Sequence, residues 1–216
     1  MAKLKAPLMS LGASGKLGGA LVFMHWKGID DVREYVIPAN PRTPLQTTQR
    51  GYLTDAVVVI HAAQADPTNP LDSEDAQAYA LYGSCEPTPR TWFNQIVKNW
   101  IDCKVATKLP CLCSNMEITP APGELGLSLY LWEATCTAGK FYYGTSKTAL
   151  INSEDAVITT QTATATLTGL TPGVKYFVQF RADPADPCEG ARSGIYYDRP
   201  TSQNPAGPPL QPKAKS

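Results

Sequence analysis

Two short segments of the chain carry residue types that suit nucleotide chemistry. Residues 12–22 read GASGKLGGALV, in which closely spaced glycines would let the backbone approach a phosphate at the start of a helix. Residues 143–150 read YGTSKTAL, and on a helix Tyr143 and Lys147 would share one face. Tyrosine and lysine side chains placed in this way are candidates for a catalytic pair.

Both segments, together with DAVVVIHAA at residues 55–63, resemble parts of short-chain dehydrogenases in order and spacing. A dinucleotide fingerprint needs a buried strand before the glycines and a helix after them. Pro7 argues against the strand, and the run ALVFMHWKG after the glycines is rich in strand-forming residues. An NAD(P)-dependent dehydrogenase is therefore kept only as a remote alternative. We expect no catalytic residue, no cofactor and no enzymatic activity.

The elements predicted for the N-terminal half are a β-hairpin and about three helices. Two runs of strand-forming residues, ALVFMHW and DDVREYV, flank a short turn and predict the hairpin. Thr43 followed by Pro44 predicts a helix start, and Thr88 followed by Pro89 predicts another. The expected helices cover approximately residues 44–64, 73–82 and 89–102.

The C-terminal half has the alternating pattern of an all-β domain. Leu170, Pro172 and Tyr176 form the motif L-x-P-x-x-x-Y, and Val178 and Phe180 then alternate with polar residues along a strand. This motif resembles the tyrosine corner of fibronectin type III domains, in which the tyrosine hydroxyl bonds to backbone upstream. Residues 116–200 resemble one such sandwich. The resemblance implies that Tyr176 is the corner tyrosine and Trp132 the core tryptophan.

The predicted fold class is therefore an α+β N-terminal half, with a β-hairpin plus about three helices, followed by an all-β immunoglobulin/fibronectin III-like sandwich. Four segments are expected: an extended glycine-rich arm and hairpin, a helical domain, the sandwich, and a proline-rich tail. They cover residues 1–42, 43–115, 116–200 and 201–216, respectively.

Six cysteines stand at positions 85, 103, 111, 113, 136 and 188. Their spacing around residues 103–113 is C-x7-C-x-C, which lacks the paired C-x-x-C of zinc sites, and we predict no metal. Within the sandwich, Cys136 would follow the second strand and Cys188 would lie between the last two. Loops at these positions share one end of such a sandwich. A Cys136–Cys188 disulfide is therefore one hypothesis, and free thiols on a mobile rim are the other.

The N-terminal sequence also resembles a family of phage and prophage proteins encoded among virion genes. Residues 10–50 contain its patterns in order: S-x-G-x-S-G-K-x-G, V-F-x-x-W-K-G, V-R-x-Y, and N-P-R-T-x-x-Q-x-x-x-R. The following helices, including TWFNQIVKNW, look similar to that family as well. The resemblance implies a structural component of a phage particle. Decoration or cementing of a capsid is our first expectation, and a tail or neck position or a host-surface adhesion module is the alternative.

This reading assigns roles to residues of the N-terminal segment. Aromatic side chains would serve as amphipathic anchors, and arginines would bind carboxylates or carbonyls of a neighbouring chain or, equally, of their own domain. The expected assembly residues are Trp26, Lys27, Arg33, Tyr35, Asn40, Arg42 and Arg50. The glycines expected to permit tight turns and close chain approach are Gly12, Gly15, Gly18 and Gly28.

Charge and hydropathy set the expected partners. Lysine plus arginine and aspartate plus glutamate number 19 each, which argues against binding nucleic acid. We expect no membrane span, since no apolar run reaches about 18 residues, and no signal peptide. The expected partners are other copies of the chain and other virion proteins, in a virion assembled in the bacterial cytoplasm. An adhesion module would instead bind a host-surface glycan, through exposed aromatics such as Tyr196 and Tyr197.

Overall fold

A computed structural model describes residues 2–3, 15–17, 20–26, 29–36 and 42–202 of the chain. The chain divides into two compact units, Met1–Gln46 and Thr47–Ser216. Most of the predicted proline-rich tail, residues 203–216, lies outside the described residues. None of the described helices is both long enough and apolar enough to cross a membrane.

The first unit contains one antiparallel four-stranded sheet. Its strands are β1 (Ala2–Lys3), β2 (Gly15–Leu17), β3 (Leu21–Trp26) and β4 (Ile29–Glu34), in the order β1-β4-β3-β2. The predicted hairpin is confirmed, since Leu21 pairs with Glu34 and Trp26 with Ile29. Strands β2 and β3 occupy the place where a dinucleotide site needs a helix, so residues 15–26 do not form that motif.

Three helices follow: α1 (Pro44–Ala65), α2 (Ser73–Cys85) and α3 (Trp92–Val105). Pro44 begins α1 as predicted, and the N–H of Gln46 donates to Thr43 Oγ1 at 3.4 Å. Helix α3 begins three residues later than predicted. Its N-cap is Thr91, whose hydroxyl accepts from the N–H of Asn94. The N–H of Arg90 donates to Gly83 O. The residues predicted to form the first turn of α3 therefore lie in a loop that folds back on α2.

Eight strands then form two antiparallel sheets. They are β5 (Cys113–Ala121), β6 (Glu124–Leu131), β7 (Gly139–Gly144), β8 (Asn152–Asp155), β9 (Val157–Thr159), β10 (Thr162–Leu167), β11 (Tyr176–Ala182) and β12 (Tyr196–Asp198). One sheet has the order β5-β6-β10-β9 and the other β12-β11-β7-β8. Chain-consecutive strands are distributed between the two sheets as in immunoglobulin-like sandwiches. The predicted fold class is therefore confirmed.

The sandwich core follows the period of two along its strands. Leu125, Leu127, Leu129 and Leu131 of β6 all point inward and are buried with residues of the facing sheet, among them Phe141. Trp132 stands at the next, opposite position. It is partly buried in the helical cluster rather than in the sandwich core, and its Nε1 donates to Ser114 Oγ at 2.8 Å. The assignment of Trp132 as the core tryptophan is thus wrong.

The helices and the sandwich, predicted as separate domains, share one compact unit because α2 lies directly against the β11–β12 connection. The side chain of Ala78 belongs to the sandwich core, and Ala78 O accepts from the N–H of Ile195 at 3.0 Å. Gly194 allows this approach: a Cβ atom placed on it would lie 2.6 Å from Ala78 Cβ and 2.8 Å from Tyr79 N.

The substitution Gly194→Ala is expected to lower the free energy of unfolding by about 1–3 kcal/mol, because a methyl group there forces α2 away from the sandwich. Equilibrium unfolding in urea measures the change. The matched control is Gly51→Ala in α1, where a Cβ atom meets nothing within 4 Å. This control should raise stability by up to about 1 kcal/mol through helix propensity. Equal effects of the two substitutions would contradict the close approach.

The tyrosine corner is present as predicted. Thr171 N–H donates to the hydroxyl oxygen of Tyr176 at 3.1 Å, which closes the connection between β10 and β11. Val178 and Phe180, further along β11, are buried in the sandwich core. The hydroxyl therefore fixes the corner, whereas the rest of β11 is held by packing.

Removing this hydroxyl in Tyr176→Phe is expected to lower the free energy of unfolding by about 1 kcal/mol, the usual net worth of one hydrogen bond. Urea unfolding followed by tryptophan fluorescence gives the value. The control Tyr197→Phe removes a hydroxyl from a ring that is 53% exposed, and its effect should stay within about 0.5 kcal/mol. A corner variant as stable as the control would show that the bond contributes nothing.

Candidate functional site

A buried carboxylate, Asp75, connects helix α2 to the sandwich. Its Oδ1 accepts from Tyr196 Oη at 2.7 Å, and its Oδ2 accepts from the N–H of Asn115 at 2.9 Å and of Asp72 at 3.3 Å. These partners lie on β12, on β5 and at the N-cap of α2. Asp75 is only 1% exposed. Its oxygens are committed to fixed donors away from solvent, so the side chain is a structural joint rather than a proton donor to a substrate.

The environment of Asp75 changes its ionisation. Burial is the largest influence and raises the pKa of Asp75 above its ordinary value of 3.8, although the hydrogen bonds from Tyr196, Asn115 and Asp72 act in the opposite direction. Between 3.8 and the raised pKa the folded chain holds a proton that the unfolded chain has released. Stability therefore falls as pH rises through that window.

The variant Asp75→Asn is expected to lose this contribution, because an amide does not titrate. The unfolding free energy of the wild type, minus that of the variant, should decrease as pH is raised from below 3.8 towards neutrality. Urea unfolding at a series of pH values tests this. Glu154→Gln on the exposed strand β8 controls for loss of one carboxylate. A difference between wild type and Asp75→Asn that stays constant with pH would contradict the raised pKa.

A cluster of thiols lies at one end of the sandwich. Cys111 precedes β5, Cys136 lies in the β6–β7 connection and Cys188 in the β11–β12 connection, and all three are buried. The contact with the Cys111 thiol is the largest influence and raises the pKa of Cys136, the contact with the Cys188 thiol lowers it, and burial raises it further. Its contact with Cys136 likewise raises the pKa of Cys188. The thiols are therefore protonated at neutral pH.

Asp186 forms hydrogen bonds with both of the loops that carry Cys136 and Cys188. Its Oδ2 accepts from the N–H groups of Thr137 at 2.8 Å and Ala138 at 2.9 Å, and its Oδ1 accepts from the N–H of Cys188 at 2.8 Å. Burial opposes ionisation of Asp186, but these backbone donors outweigh it and hold the pKa of Asp186 below its ordinary value. A carboxylate oxygen of Asp186 and the Sγ atoms of Cys136 and Cys188 lie within 4.8 Å of one another.

This arrangement bears on the predictions for the cysteines. Cys136 and Cys188 lie in loops at the same end, where the disulfide hypothesis placed them, but both are free thiols. They are enclosed rather than on a mobile rim. Of the three cysteines in the C-x7-C-x-C run, only Cys111 contacts Cys136. Sequence reasoning missed Asp186, although its place two residues before Cys188 in D-P-C was a local signal.

The residues expected to mediate assembly are distributed over the N-terminal segment. Arg33 lies on β4 with an exposed side chain, Arg42 is exposed before α1, and Arg50 is exposed on α1. Trp26 is the last residue of β3. Lys27 and Asn40, with the glycines Gly12, Gly18 and Gly28, lie outside the described residues.

Tyr35 and Gly15 have defined surroundings. The N–H of Tyr35 donates to Ala20 O at 2.7 Å, and its half-buried ring has Lys16 Nζ 3.8 Å from the ring centre, a cation–π contact that sequence reasoning missed. Gly15 has φ +105°, where a glycine is needed. The contact with Lys16 gives the ring of Tyr35 a partner within its own unit.

The aromatic pair proposed for glycan binding is split by the fold. Tyr196 is buried and donates to Asp75, whereas Tyr197 is exposed. Lys175 Nζ lies 3.3 Å from the centre of the Tyr197 ring and 5.1 Å from that of Phe177. Successive residues of a strand face opposite sides, so Tyr196 and Tyr197 do not form one exposed cluster.

Comparisons with known proteins find similarity among solved structures. No protein-family model matches the chain, and no curated protein matches it. Among solved structures, the chain is similar to the solution structure of the fn3 domain of human contactin 1. The match has a TM-score of 0.33 and 16% sequence identity, and it covers 44% of this chain and 78% of that one. The assignment of the sandwich rests on its own strand order.

Proposed function

We propose that this chain is a non-enzymatic structural protein of a bacteriophage virion. In this proposal the N-terminal unit anchors the chain to the particle and the sandwich is displayed. Decoration or cementing of the capsid is the preferred position, and a tail or neck position is the second. The supports are the ordered motifs of residues 10–50 and one physical observation, the scarcity of buried apolar side chains among the described residues of the N-terminal unit.

That scarcity concerns the sheet of β1 to β4. Among the side chains described in this unit, Phe23 is the buried hydrophobic residue. Leu21 is 38% exposed and Val36 66% exposed. A small sheet needs an apolar face packed against another layer to be stable in water. A sheet whose described side chains bury so little apolar surface is suited to burying a face against a neighbouring chain, as an assembly element does.

The arginines of this unit suit the same role. Arg33 and Arg42 have exposed side chains, and a guanidinium group presents forked donors to carboxylates or backbone carbonyls of a partner. Arginine is also enriched at protein interfaces. The partners in this proposal are other copies of the chain and other virion proteins, without nucleic acid or membrane. The location is the virion, after assembly in the bacterial cytoplasm.

The supports for a non-enzymatic role lie in how the buried acids are used. Asp75 and Asp186 each accept several fixed hydrogen bonds that join segments of the fold. Tyr143 lies on strand β7, and Lys147, in the turn after it, donates to Ser84 Oγ at 3.2 Å. The tyrosine–lysine pair of a dehydrogenase requires a shared helix face. A host-surface adhesion module is the alternative to virion structure, and it has weaker support because Tyr196 is buried.

Light scattering of the purified chain, with and without residues 1–41, tests the assembly role. This truncation keeps Thr43, the cap of α1. The full chain is expected to form oligomers and the truncated chain to be a monomer. The circular dichroism spectrum of the truncated chain should keep the signals of the helices and strands that remain in it. The paired substitutions Arg33→Glu and Arg42→Glu should weaken association in the full chain, whereas Lys175→Glu in the sandwich should not.

A second measurement covers assembly that requires the particle surface. Purified particles of the encoding phage, stripped of this protein, are mixed with the full or the truncated chain and sedimented. The full chain should co-sediment and the truncated chain should remain in solution. A full-length chain that is monomeric and also fails to bind particles would contradict the proposed function.

A further inference from the structure

The geometry points to a binding site for a thiophilic divalent cation of the zinc class, formed by Cys136, Cys188 and Asp186, with a water molecule as the fourth ligand. This site is independent of the proposed virion role. Zn²⁺ is held in proteins by cysteine sulfur and carboxylate oxygen in tetrahedral sites. The two thiols and the carboxylate oxygen already lie within 4.8 Å of one another, in a buried setting.

The separation of the ligand atoms is close to what a tetrahedral ion needs. With metal–sulfur distances of about 2.3 Å, neighbouring ligands of a tetrahedral site are roughly 4 Å apart. Rotation of the thiols about their χ1 angles supplies the remaining contraction. Cys111 lies beside Cys136 but outside this group of atoms, so a water molecule is the expected fourth ligand.

The loops that carry these ligands are already held in place. Asp186 binds backbone N–H groups on both sides of the site, at Thr137 and Ala138 in one loop and at Cys188 in the other. Such hydrogen bonds orient ligands before an ion binds, which is the usual task of the groups that surround a metal site. The main chain therefore needs no rearrangement.

Asp186 has both the charge and the free lone pair that a cation needs. Its Oδ2 accepts three hydrogen bonds, from Thr137 N–H, Thr137 Oγ1 and Ala138 N–H, whereas Oδ1 accepts one, from Cys188 N–H. A carboxylate oxygen has capacity for a further partner in this arrangement. Among the described residues, the ion pairs of lysine and arginine do not include Asp186. A bound cation would offset this buried negative charge.

Binding balances in protons. Cys136 and Cys188 each lose the proton of the thiol to solvent, and each sulfur forms one bond to the ion. Asp186 is already ionised. No oxidant or reductant is involved, which distinguishes this site from a Cys136–Cys188 disulfide, whose formation removes two hydrogen atoms.

Cadmium titration of the reduced full chain tests the site, with Cd²⁺ as the probe. One Cd²⁺ per chain is expected, with the ultraviolet sulfur-to-cadmium charge-transfer band. Cys136→Ser and Cys188→Ser should each abolish tight binding and most of the band. Cys85→Ser is the matched control, since Cys85 lies on α2 away from this cluster and its thiol donates to Leu81 O, and it should bind as the wild type does.

A measurement on the unaltered chain keeps the test valid if the serine variants misfold. The ¹¹³Cd NMR shift of the wild type reports the number of sulfur ligands, and a site with two thiolates and two oxygen ligands is expected. Absence of the band, a shift typical of oxygen ligands alone, or a band unchanged in Cys136→Ser and Cys188→Ser would overturn the site. Recovery of a linked Cys136–Cys188 peptide that excludes cadmium would also overturn it, in favour of the disulfide.

Discussion

The carboxylate of Asp75 joins the helical layer to the sandwich, and much of the larger unit depends on that joint. Its oxygens accept hydrogen bonds from a hydroxyl on β12, from a backbone N–H on β5 and from the backbone N–H at the N-cap of α2. Leaving the buried Tyr196 hydroxyl without an acceptor inside the protein would cost free energy. The position of α2 is thereby fixed relative to both edge strands. Tyr79, one turn further along α2, adds a contact of the same kind by donating to Cys113 O at 3.1 Å.

A second carboxylate acts in a comparable way at another place in the sandwich. Asp186 binds loops from different strand connections and holds their cysteines close together. In both places a charged group is retained in the interior because it gathers several backbone donors that have no other acceptor. Apolar packing of the leucines of β6 supplies the bulk of the burial, and the two aspartates determine which segments meet at its margins.

The N-terminal unit contrasts with this arrangement. Its sheet has regular antiparallel pairing along β3 and β4, yet among its described side chains Phe23 is the buried hydrophobic residue. Backbone pairing alone contributes little net stability, since the same groups bond to water in the unfolded chain. The proposed role as an assembly element follows from this imbalance. The resemblance of residues 10–50 to virion proteins implies the same role.

Local patterns in the sequence determined much of the fold. The hairpin of β3 and β4, the start of α1 at Pro44, the inward leucines of β6 and the Tyr176 corner all follow from the period of the chain and from the dihedral preferences of single residues. Such patterns report the conformation of a segment and which of its faces is apolar. They do not report which surface covers that face. For this reason Trp132 was assigned to the sandwich core, although it packs with the helices.

Only the tertiary structure decided where the buried acids and thiols meet. Asp75 and Tyr196 are 121 positions apart, and Asp186 and Thr137 are 49 positions apart. The resemblance to a sandwich placed Cys136 and Cys188 at one end, but only the tertiary structure showed that they share an enclosed space with the carboxylate of Asp186. The start of α3 at Thr91 rather than Thr88 also depended on a distant partner, the carbonyl of Gly83. A local signal specifies φ, ψ and a face, whereas these contacts depend on the return of distant segments to the same place, which packing of the whole unit decides.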